Sequence, residues 1–190
     1  MHASINSRRR PLTGLALATL LLVTRASLAA GADTVGICDM EQLPAAVVEM
    51  REAMLEAVAK ADIEAMRIPV EMNEIPPAIG PAGADDPIKY WRDASGDGEG
   101  REVLAQIGLI MAMPCAKVAS TDGQVMLIWP YLAAVPLGSL DPVQLVDFYR
   151  LARGEEAKAM RAGGTYTSWR IGIGENGVWH FMETGPVAVP

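Results

Sequence analysis

The sequence predicts an α+β domain in which a small antiparallel sheet of about four strands, built from two hairpins, packs against three or four helices. Two observations lead to this prediction. Two apolar segments surround turns that contain Asn-Gly or Asp-Gly, which is the strongest short-range signal for a hairpin. Other segments repeat apolar residues every three or four positions, as helices with one buried face do.

The C-terminal hairpin is predicted around Asn176-Gly177. A three-residue loop at 175–177 separates apolar from polar side chains, whereas a two-residue loop mixes them, so the longer loop is favoured. Its cross-strand pairs are Ile173 with Trp179 and Ile171 with Phe181. The apolar face then carries Trp169, Ile171, Ile173, Trp179 and Phe181. The opposite face carries Ser168, Arg170, Gly172, His180 and Met182.

The other hairpin is predicted around Thr121-Asp122-Gly123, with strands at 116–119 and 124–131. Its second strand is apolar on both sides, with one face formed by Val125, Leu127 and Trp129 and the other by Met126 and Ile128. A strand of this kind is covered on both faces, so we expect it in the interior of the sheet. Pro130 has no backbone N–H and places the end of the strand at an edge or a bend.

An amphipathic helix is predicted from Leu43 onward. Its apolar stripe consists of Val47, Met50, Met54, Val58 and Ala61. Asp62 can cap a short second helix, which we expect Pro69 to disrupt because proline clashes with the preceding helical turn. An amphipathic helix must bury its apolar stripe, so we expect the first of these helices to cover one side of the sheet.

Three more helical segments are predicted after residue 100. A segment at 101–113 is apolar on most sides and is therefore expected to be buried. Asp141-Pro142 together with Gln144 forms a capping box, which starts a helix that runs to about residue 152. A further piece covers 155–162 and ends at Gly163-Gly164.

Residues 1–30 have the pattern of a cleaved export signal. A basic start at Arg8-Arg9-Arg10 precedes an apolar run from Leu12 to Val23, and small residues mark a cleavage site at 27–29 or 30–32. The apolar run is too short to span a bilayer. Paired arginines leave both the twin-arginine and the general secretory route open. The sequence thus predicts one domain at 31–190 that is periplasmic or secreted, with no stable membrane insertion after cleavage.

Charge excludes two classes of partner. Removal of the signal takes away four of the 16 basic residues and leaves 12 against 23 acidic residues, a formal net charge of −11. Nucleic acids and anionic membrane surfaces both require clustered positive charge. We therefore expect neither as a partner.

Two cysteines, Cys38 and Cys115, remain in the mature chain. In an oxidising compartment an even number of cysteines favours a disulfide, although two buried thiols are the alternative. Met111 and Met113 add thioethers close to Cys115, which is a ligand set that suits Cu(I), but a disulfide would consume both thiols. No cofactor is predicted.

A partial calcium motif lies at 93–98. Asp93, Ser95 and Asp97 place oxygen atoms at alternate positions, as the first half of a calcium loop does. The twelfth position, where such loops have an acidic residue, is Leu104. The alternative is a polar loop that caps the helix at 101.

The favoured function is non-catalytic: an exported domain that binds an envelope protein or a small ligand through the loop at 76–100. Within this loop, Asp86-Pro87 starts a short helical turn that carries Tyr90 and Trp91. These two aromatic residues are expected to be exposed and able to stack on a sugar or a partner. Catalysis is not favoured, because His180 is the only histidine of the mature chain and no nucleophile motif surrounds its nearest candidate partner, Ser168.

The alternative function is an enzyme or a ligand carrier with a pocket between sheet and helices. Its pocket would be lined by Tyr131, Arg170 and His180, of which the last two share the polar face of the predicted hairpin. The two functions differ in what they require. The first needs exposed aromatic residues in the long loop, and the second needs these three side chains to converge.

The chain resembles a family of exported proteins of proteobacteria at four segments: 86–91, 95–102, 129–133 and 169–174. This resemblance implies export but brings no activity and no catalytic residues. Ala61-Asp62-Ile63-Glu64-Ala65-Met66 after the first helix, together with the C-terminal hairpin, is also similar to the cone-shaped α+β folds of the nuclear-transport-factor-2 type. Helices over 141–162 depart from that pattern, because they interrupt the strands such a fold runs together.

Overall fold

The sheet has six strands, two more than predicted. The computed structural model describes residues 33–80, 86–119 and 123–186, so the predicted export signal at 1–30 lies outside the described residues. The strands are β1 (Asp33–Ile37), β2 (Ala78–Ile79), β3 (Ala116–Ala119), β4 (Val125–Trp129), β5 (Arg170–Gly174) and β6 (Trp179–Glu183). They lie in the order β1-β3-β4-β5-β6-β2. The two predicted hairpins therefore form the four central strands.

The two edge strands make the sheet mixed. β1 pairs antiparallel with β3, and β2 pairs parallel with β6. The prediction of about four antiparallel strands is confirmed for the centre and is incomplete at both edges. β2 is only two residues long and lies in a Pro-rich and Gly-rich segment, so its pairing depends on the backbone of β6 and not on a local pattern.

The described residues form six α-helices. They are α1 (Ala45–Lys60), α2 (Arg67–Glu71), α3 (Pro87–Ala94), α4 (Arg101–Met111), α5 (Pro142–Leu151) and α6 (Gly154–Gly163). The prediction that Pro69 disrupts the second helix is wrong. Pro69 occupies the first turn of α2, where its missing N–H has no helical partner to lose, and the chain continues from a 3-10 turn at Ile63–Met66 into an α-helix.

Side-chain caps begin three of these elements as the sequence predicts. Asp62 accepts a hydrogen bond from the backbone N–H of Glu64, and Asp86 accepts one from that of Ile88. The capping box at Asp141 is complete, because its carboxylate and the Gln144 side chain each accept a backbone N–H of the other residue. Local sequence therefore sets the start of α5 and of α3.

The C-terminal hairpin has the predicted loop but a different register beyond it. The N–H of Gly177 donates to the carbonyl of Gly174 at 2.8 Å, which closes a turn with Gly177 in the left-handed region. Ile173 lies opposite Trp179, as predicted. The predicted pair of Ile171 with Phe181 is wrong, because a bulge adds one residue to β6.

The bulge moves Phe181 and Met182 to the faces opposite those predicted. Ile171 pairs with Met182, which is buried in the core on the helix side, while Phe181 lies opposite Gly172 on the other face. A Cβ atom at Gly172 would lie 2.4 Å from two ring carbons of Phe181. Glycine at this position thus provides the room that the aromatic ring occupies.

The sheet separates two buried clusters. One lies between the sheet and α1 to α4 and includes Leu127 and Trp129 of β4. The other lies against α5 and α6 and includes Ile128 of the same strand. The prediction that β4 is covered on both faces is confirmed. Its connection to β3 includes residues outside the described ranges, but Ala119 lies opposite Val125, which is the register that a three-residue loop at 121–123 requires.

A disulfide joins Cys38, just after β1, to Cys115, just before β3. The two Cα atoms lie 5.2 Å apart, and the backbone N–H of Cys38 donates to the carbonyl of Cys115 at 2.7 Å. The predicted disulfide is confirmed, and the alternative of two buried thiols is wrong. Both sulfur atoms that the copper hypothesis required are consumed by this bond.

Candidate ligand cleft beside helix α3

A cleft of about 300 Å³ opens between α3, α4 and the chain that leads into β5. Its lining residues are Tyr90, Trp91, Ala94, Glu102, Val103, Gln106, Leu151, Glu156, Ser168, Trp169 and Met182. Three aromatic side chains and four polar side chains therefore surround one small space. This volume lies at the lower end of the range for small-molecule sites, roughly 300–1,000 Å³.

Helix α3 holds the aromatic wall of the cleft in place through Trp91. The Trp91 ring is fully buried and stacks on Trp179 of β6, with ring centroids 6.0 Å apart. Its indole N–H has no hydrogen-bond partner among the described residues. Tyr90, the residue before Trp91, is half-buried and packs on Gly80, where a Cβ atom would lie 2.5 Å from Cε1 of the tyrosine ring. The cleft therefore has a rigid base and a partly accessible tyrosine beside it.

Trp169 forms another wall and is held by Tyr166. The Tyr166 hydroxyl, which is buried, donates a hydrogen bond to the backbone carbonyl of Trp169 at 3.1 Å. Burial raises the pKa of Tyr166 to about 12, although its hydrogen bond with Ser168 acts in the opposite direction. Trp169 is the one tryptophan of the four that is not fully buried. It is thus the indole best placed to report on a bound molecule.

Replacing Tyr166 with Phe should change how stability depends on pH. The raised pKa means that the folded protein retains the tyrosine proton while the unfolded chain loses it above about pH 10. The associated stability is complete below pH 10 and is lost as the pH rises to about 12. We expect Tyr166→Phe to cost about 1 kcal/mol at pH 8 through the lost hydrogen bond.

Between pH 10 and 12 the wild type should lose more free energy of unfolding than Tyr166→Phe does, because the variant has no proton to lose. The difference should reach roughly 2–3 kcal/mol, the equivalent of two pKa units. Urea unfolding curves at pH 8, 10 and 11.5 measure it. Parallel losses in the two proteins over this range would contradict the buried, protonated Tyr166.

The polar groups of the cleft carry negative charge and hydrogen-bonding capacity. Glu102 and Gln106 lie one turn apart on α4, Glu156 lies on α6, and Ser168 precedes β5. One Glu102 oxygen accepts the backbone N–H of Gly96 at 2.8 Å, which holds its carboxylate. Among the described residues that line the cleft, none is lysine, arginine or histidine. The cleft therefore combines aromatic surface with uncompensated carboxylates.

The expectation that Trp91 is exposed is wrong. Its helix has Ile88 and Trp91 on one buried face at a spacing of three residues, so the tryptophan belongs to the core although it also borders the cleft. Tyr90 is half-buried and does line the cleft. The predicted helical turn at 86–91 is in fact two turns long, because α3 continues to Ala94.

Tyr131, Arg170 and His180 each have different neighbours. The Tyr131 hydroxyl donates to Asp147 at 3.3 Å, and burial together with the charge of Asp147 raises its pKa. None of the three lines the cleft beside α3. Each belongs to a separate local environment, so the structure does not bring them together in that space.

Arg170 is almost fully buried and forms an ion pair with Glu183 across β5 and β6 at 2.6 Å. Its guanidinium lies 5.6 Å from the centre of the Phe181 ring, which is a cation–π contact. His180 is exposed at the bulge of β6, and Ser168 lies at the other end of the hairpin. A Ser168–His180 pair is therefore not formed.

The calcium candidates are bonded to protein groups. Asp93 forms an ion pair with Lys89, and the buried Ser95 hydroxyl donates to Asp97 at 2.7 Å. The Ser95 hydrogen bond holds the pKa of Asp97 below its usual range. Among the residues the structure describes, no three Asp, Glu, His or Cys side chains are grouped as a metal site requires. Asp97 also accepts the N–H of Glu99, so this loop is organised by its own hydrogen bonds.

Sequence reasoning missed most of the cleft. Glu102 and Glu156 are exposed and Gln106 is half-buried, on two helices that are separated by more than 40 residues, and no local pattern links them. Trp169 was assigned only to the apolar face of the hairpin. The signal that was present is the spacing of Ile88 and Trp91, which indicates that Trp91 is buried and that Tyr90 lies beside the buried face.

Comparison of the chain with protein families, with curated proteins and with solved structures found no match. The resemblances to exported proteobacterial proteins and to nuclear-transport-factor-2 folds gain no support from it. Within 33–80, 86–119 and 123–186, no helix has the length and apolar character needed to cross a bilayer.

Proposed function

We propose that the chain is an exported binding domain that holds a small ligand in the cleft beside α3. The observation that carries the proposal is the convergence of Tyr90, Trp91 and Trp169 with four polar side chains around a space of about 300 Å³. Sites for small molecules combine apolar and aromatic walls with a few polar groups that orient the ligand. The Pro-rich and Gly-rich segment at 76–100 contributes to this site through α3.

Export is part of the proposal and rests on the signal pattern at 1–30. The disulfide between Cys38 and Cys115 is compatible with it, because such bonds persist in oxidising compartments and are rare in the cytosol. Binding without catalysis is supported by the kind of groups in the cleft. They offer contact surface and hydrogen bonds, and the histidine of the mature chain lies elsewhere.

A thermal-shift screen of the mature protein tests this function. The panel should contain organic cations, neutral sugars and organic acids, and we expect one class to raise the melting temperature. Replacing Tyr90 or Trp169 with Leu removes an aromatic face while keeping apolar volume, so each variant should lose at least tenfold in affinity for the active compound. Trp91 is unsuitable for this purpose because it supports the fold.

The matched control is Tyr149→Leu. Tyr149 is 52% exposed on α5 and does not line the cleft, so its replacement should leave binding unchanged. Retention of full affinity by both the Tyr90 and the Trp169 variants would contradict the proposed site. A panel in which none of the three classes changes the melting temperature would also contradict it.

A further inference from the structure

We propose that the ligand of the cleft is a small organic cation, an ammonium compound that also carries an oxygen atom able to accept a hydrogen bond. This inference rests on the proposed function and assigns a chemical class to its ligand. Amino alcohols and their N-methylated forms, such as ethanolamine and choline, belong to this class.

The charge of the lining residues selects a cation. Glu102 and Glu156 are both exposed and line the cleft, where the described residues include no basic side chain. The Glu156 carboxylate has no hydrogen bond or ion pair within the described part of the chain, whereas the carboxylate of the adjacent Glu155 pairs with Lys158 at 2.6 Å. An anionic ligand would be repelled by both carboxylates. The net charge of −11 on the mature chain strengthens the same preference at long range.

The aromatic walls favour an organic cation over a metal ion. Tyr90 and Trp169 are half-buried, so part of each side chain remains accessible beside the carboxylates. Ammonium groups are attracted to the faces of tryptophan and tyrosine, and quaternary ammonium ligands are bound by such aromatic surroundings in other proteins. Hard metal ions gain less from these walls, because they prefer oxygen ligands and retain water. The methyl or methylene groups of an organic cation also bury apolar surface against them.

The indole N–H of Trp91 is the reason for the second property of the ligand, an oxygen atom that accepts a hydrogen bond. Trp91 lines the cleft and is fully buried, yet its N–H has no acceptor among the described residues. Buried donors without a partner are uncommon, because leaving one unsatisfied is costly. Because the Trp91 ring lines the cleft, a hydroxyl oxygen on the ligand is the acceptor we assign to this N–H. The ligand is therefore expected to carry an oxygen acceptor as well as a positive charge.

Titration of the mature protein with choline, followed by tryptophan fluorescence and by calorimetry, tests the inference. The comparison ligand is the neutral carbon isostere of choline, in which a tert-butyl group replaces the trimethylammonium group. We expect choline to bind at least tenfold more tightly than the isostere. Glu102→Gln and Glu156→Gln should each weaken choline binding several-fold and leave the isostere unchanged. Glu155→Gln, which removes a carboxylate paired with Lys158, should have no effect on either ligand.

Phosphatidylcholine vesicles form the second arm of the experiment. Binding to vesicles that Glu102→Gln weakens would support the ammonium class and identify a lipid headgroup as its source. Equal affinity for choline and its isostere, or no binding of choline in either arm, would overturn the assignment. Binding of a neutral sugar that requires Trp169 would overturn the assignment of a cation and would keep the cleft as a ligand site. Failure of the ligand class is therefore distinguishable from failure of the proposed function.

Discussion

Replacing Trp91 with Ala should lower the free energy of unfolding by about 3–5 kcal/mol, the range for truncating a large buried aromatic residue. Trp91 is fully buried in the cluster between the sheet and α1 to α4. Its removal leaves a cavity and ends the stacking on Trp179, which links α3 to β6. Urea unfolding monitored by far-UV circular dichroism measures the loss.

Two controls separate this effect from the loss of any aromatic residue. Trp91→Phe keeps a ring against Trp179 and removes the unpartnered indole N–H, so its cost should be less than half of that for alanine. Tyr149→Ala removes a side chain that is 52% exposed, and we expect a change within about 0.5 kcal/mol. A Trp91→Ala variant as stable as Tyr149→Ala would contradict the burial of α3 against the sheet.

Reduction of the disulfide should lower the free energy of unfolding by about 4 kcal/mol. Cys38 and Cys115 are 77 residues apart in the chain, and a cross-link over a loop of this length restricts the unfolded chain strongly. The bond also fixes the residue after β1 to the residue before β3, so β1 should fray first when the bond is reduced. Urea unfolding with and without a reductant measures the change.

The control for this experiment is the double variant Cys38→Ala/Cys115→Ala. It should unfold at the lower urea concentration of the reduced wild type and should be insensitive to the reductant. Identical midpoints for oxidised and reduced wild type would contradict the stabilising role of the bond. Hydrogen exchange in β1 provides an independent readout, because a frayed edge strand loses the protection of its backbone N–H groups.

Strong local signals predicted the centre of the fold. Asn176-Gly177 indicated the loop of the last hairpin, and Asp86 and Asp141 indicated where α3 and α5 begin. The uninterrupted run of apolar residues in β4 indicated a strand covered on both faces. Each of these patterns acts within a few residues of the chain, so the sequence alone is sufficient to read it.

Features that depend on distant partners were missed. The pairing of β2 with β6 joins residues about 100 positions apart, and the bulge at His180 changes the faces of Phe181 and Met182 without a local signal. Asn73 illustrates the physical reason. Its side-chain oxygen accepts the backbone N–H of Trp179 at 2.8 Å, beside the bulge, and the buried amide also donates to the carbonyl of Pro69. Such a long-range bond stabilises an irregular strand that no pattern within the strand predicts.

The candidate site was predicted only in part, for the same reason. Tyr90, which the sequence offers as an exposed candidate for stacking on a ligand, is half-buried and lines the cleft, whereas Trp91, expected to be exposed because its segment is rich in Pro and Gly, is fully buried. The other walls come from α4, α6 and the start of β5, which tertiary packing brings together. Exposed glutamates on separate helices look like ordinary solvated positions until the fold shows that they share one cleft.

The most direct test of the ligand cleft is a nuclear magnetic resonance titration of the four tryptophan indole N–H groups. Choline, or whichever compound of the screen raises the melting temperature, is added to the mature protein. Trp91 and Trp169 line the cleft and Trp129 does not, although Trp91 and Trp129 are both fully buried and neither N–H has a partner among the described residues. We predict that the resonances of Trp169 and Trp91 shift and that of Trp129 stays. A shift of Trp129 while Trp91 and Trp169 remain unchanged would contradict the account.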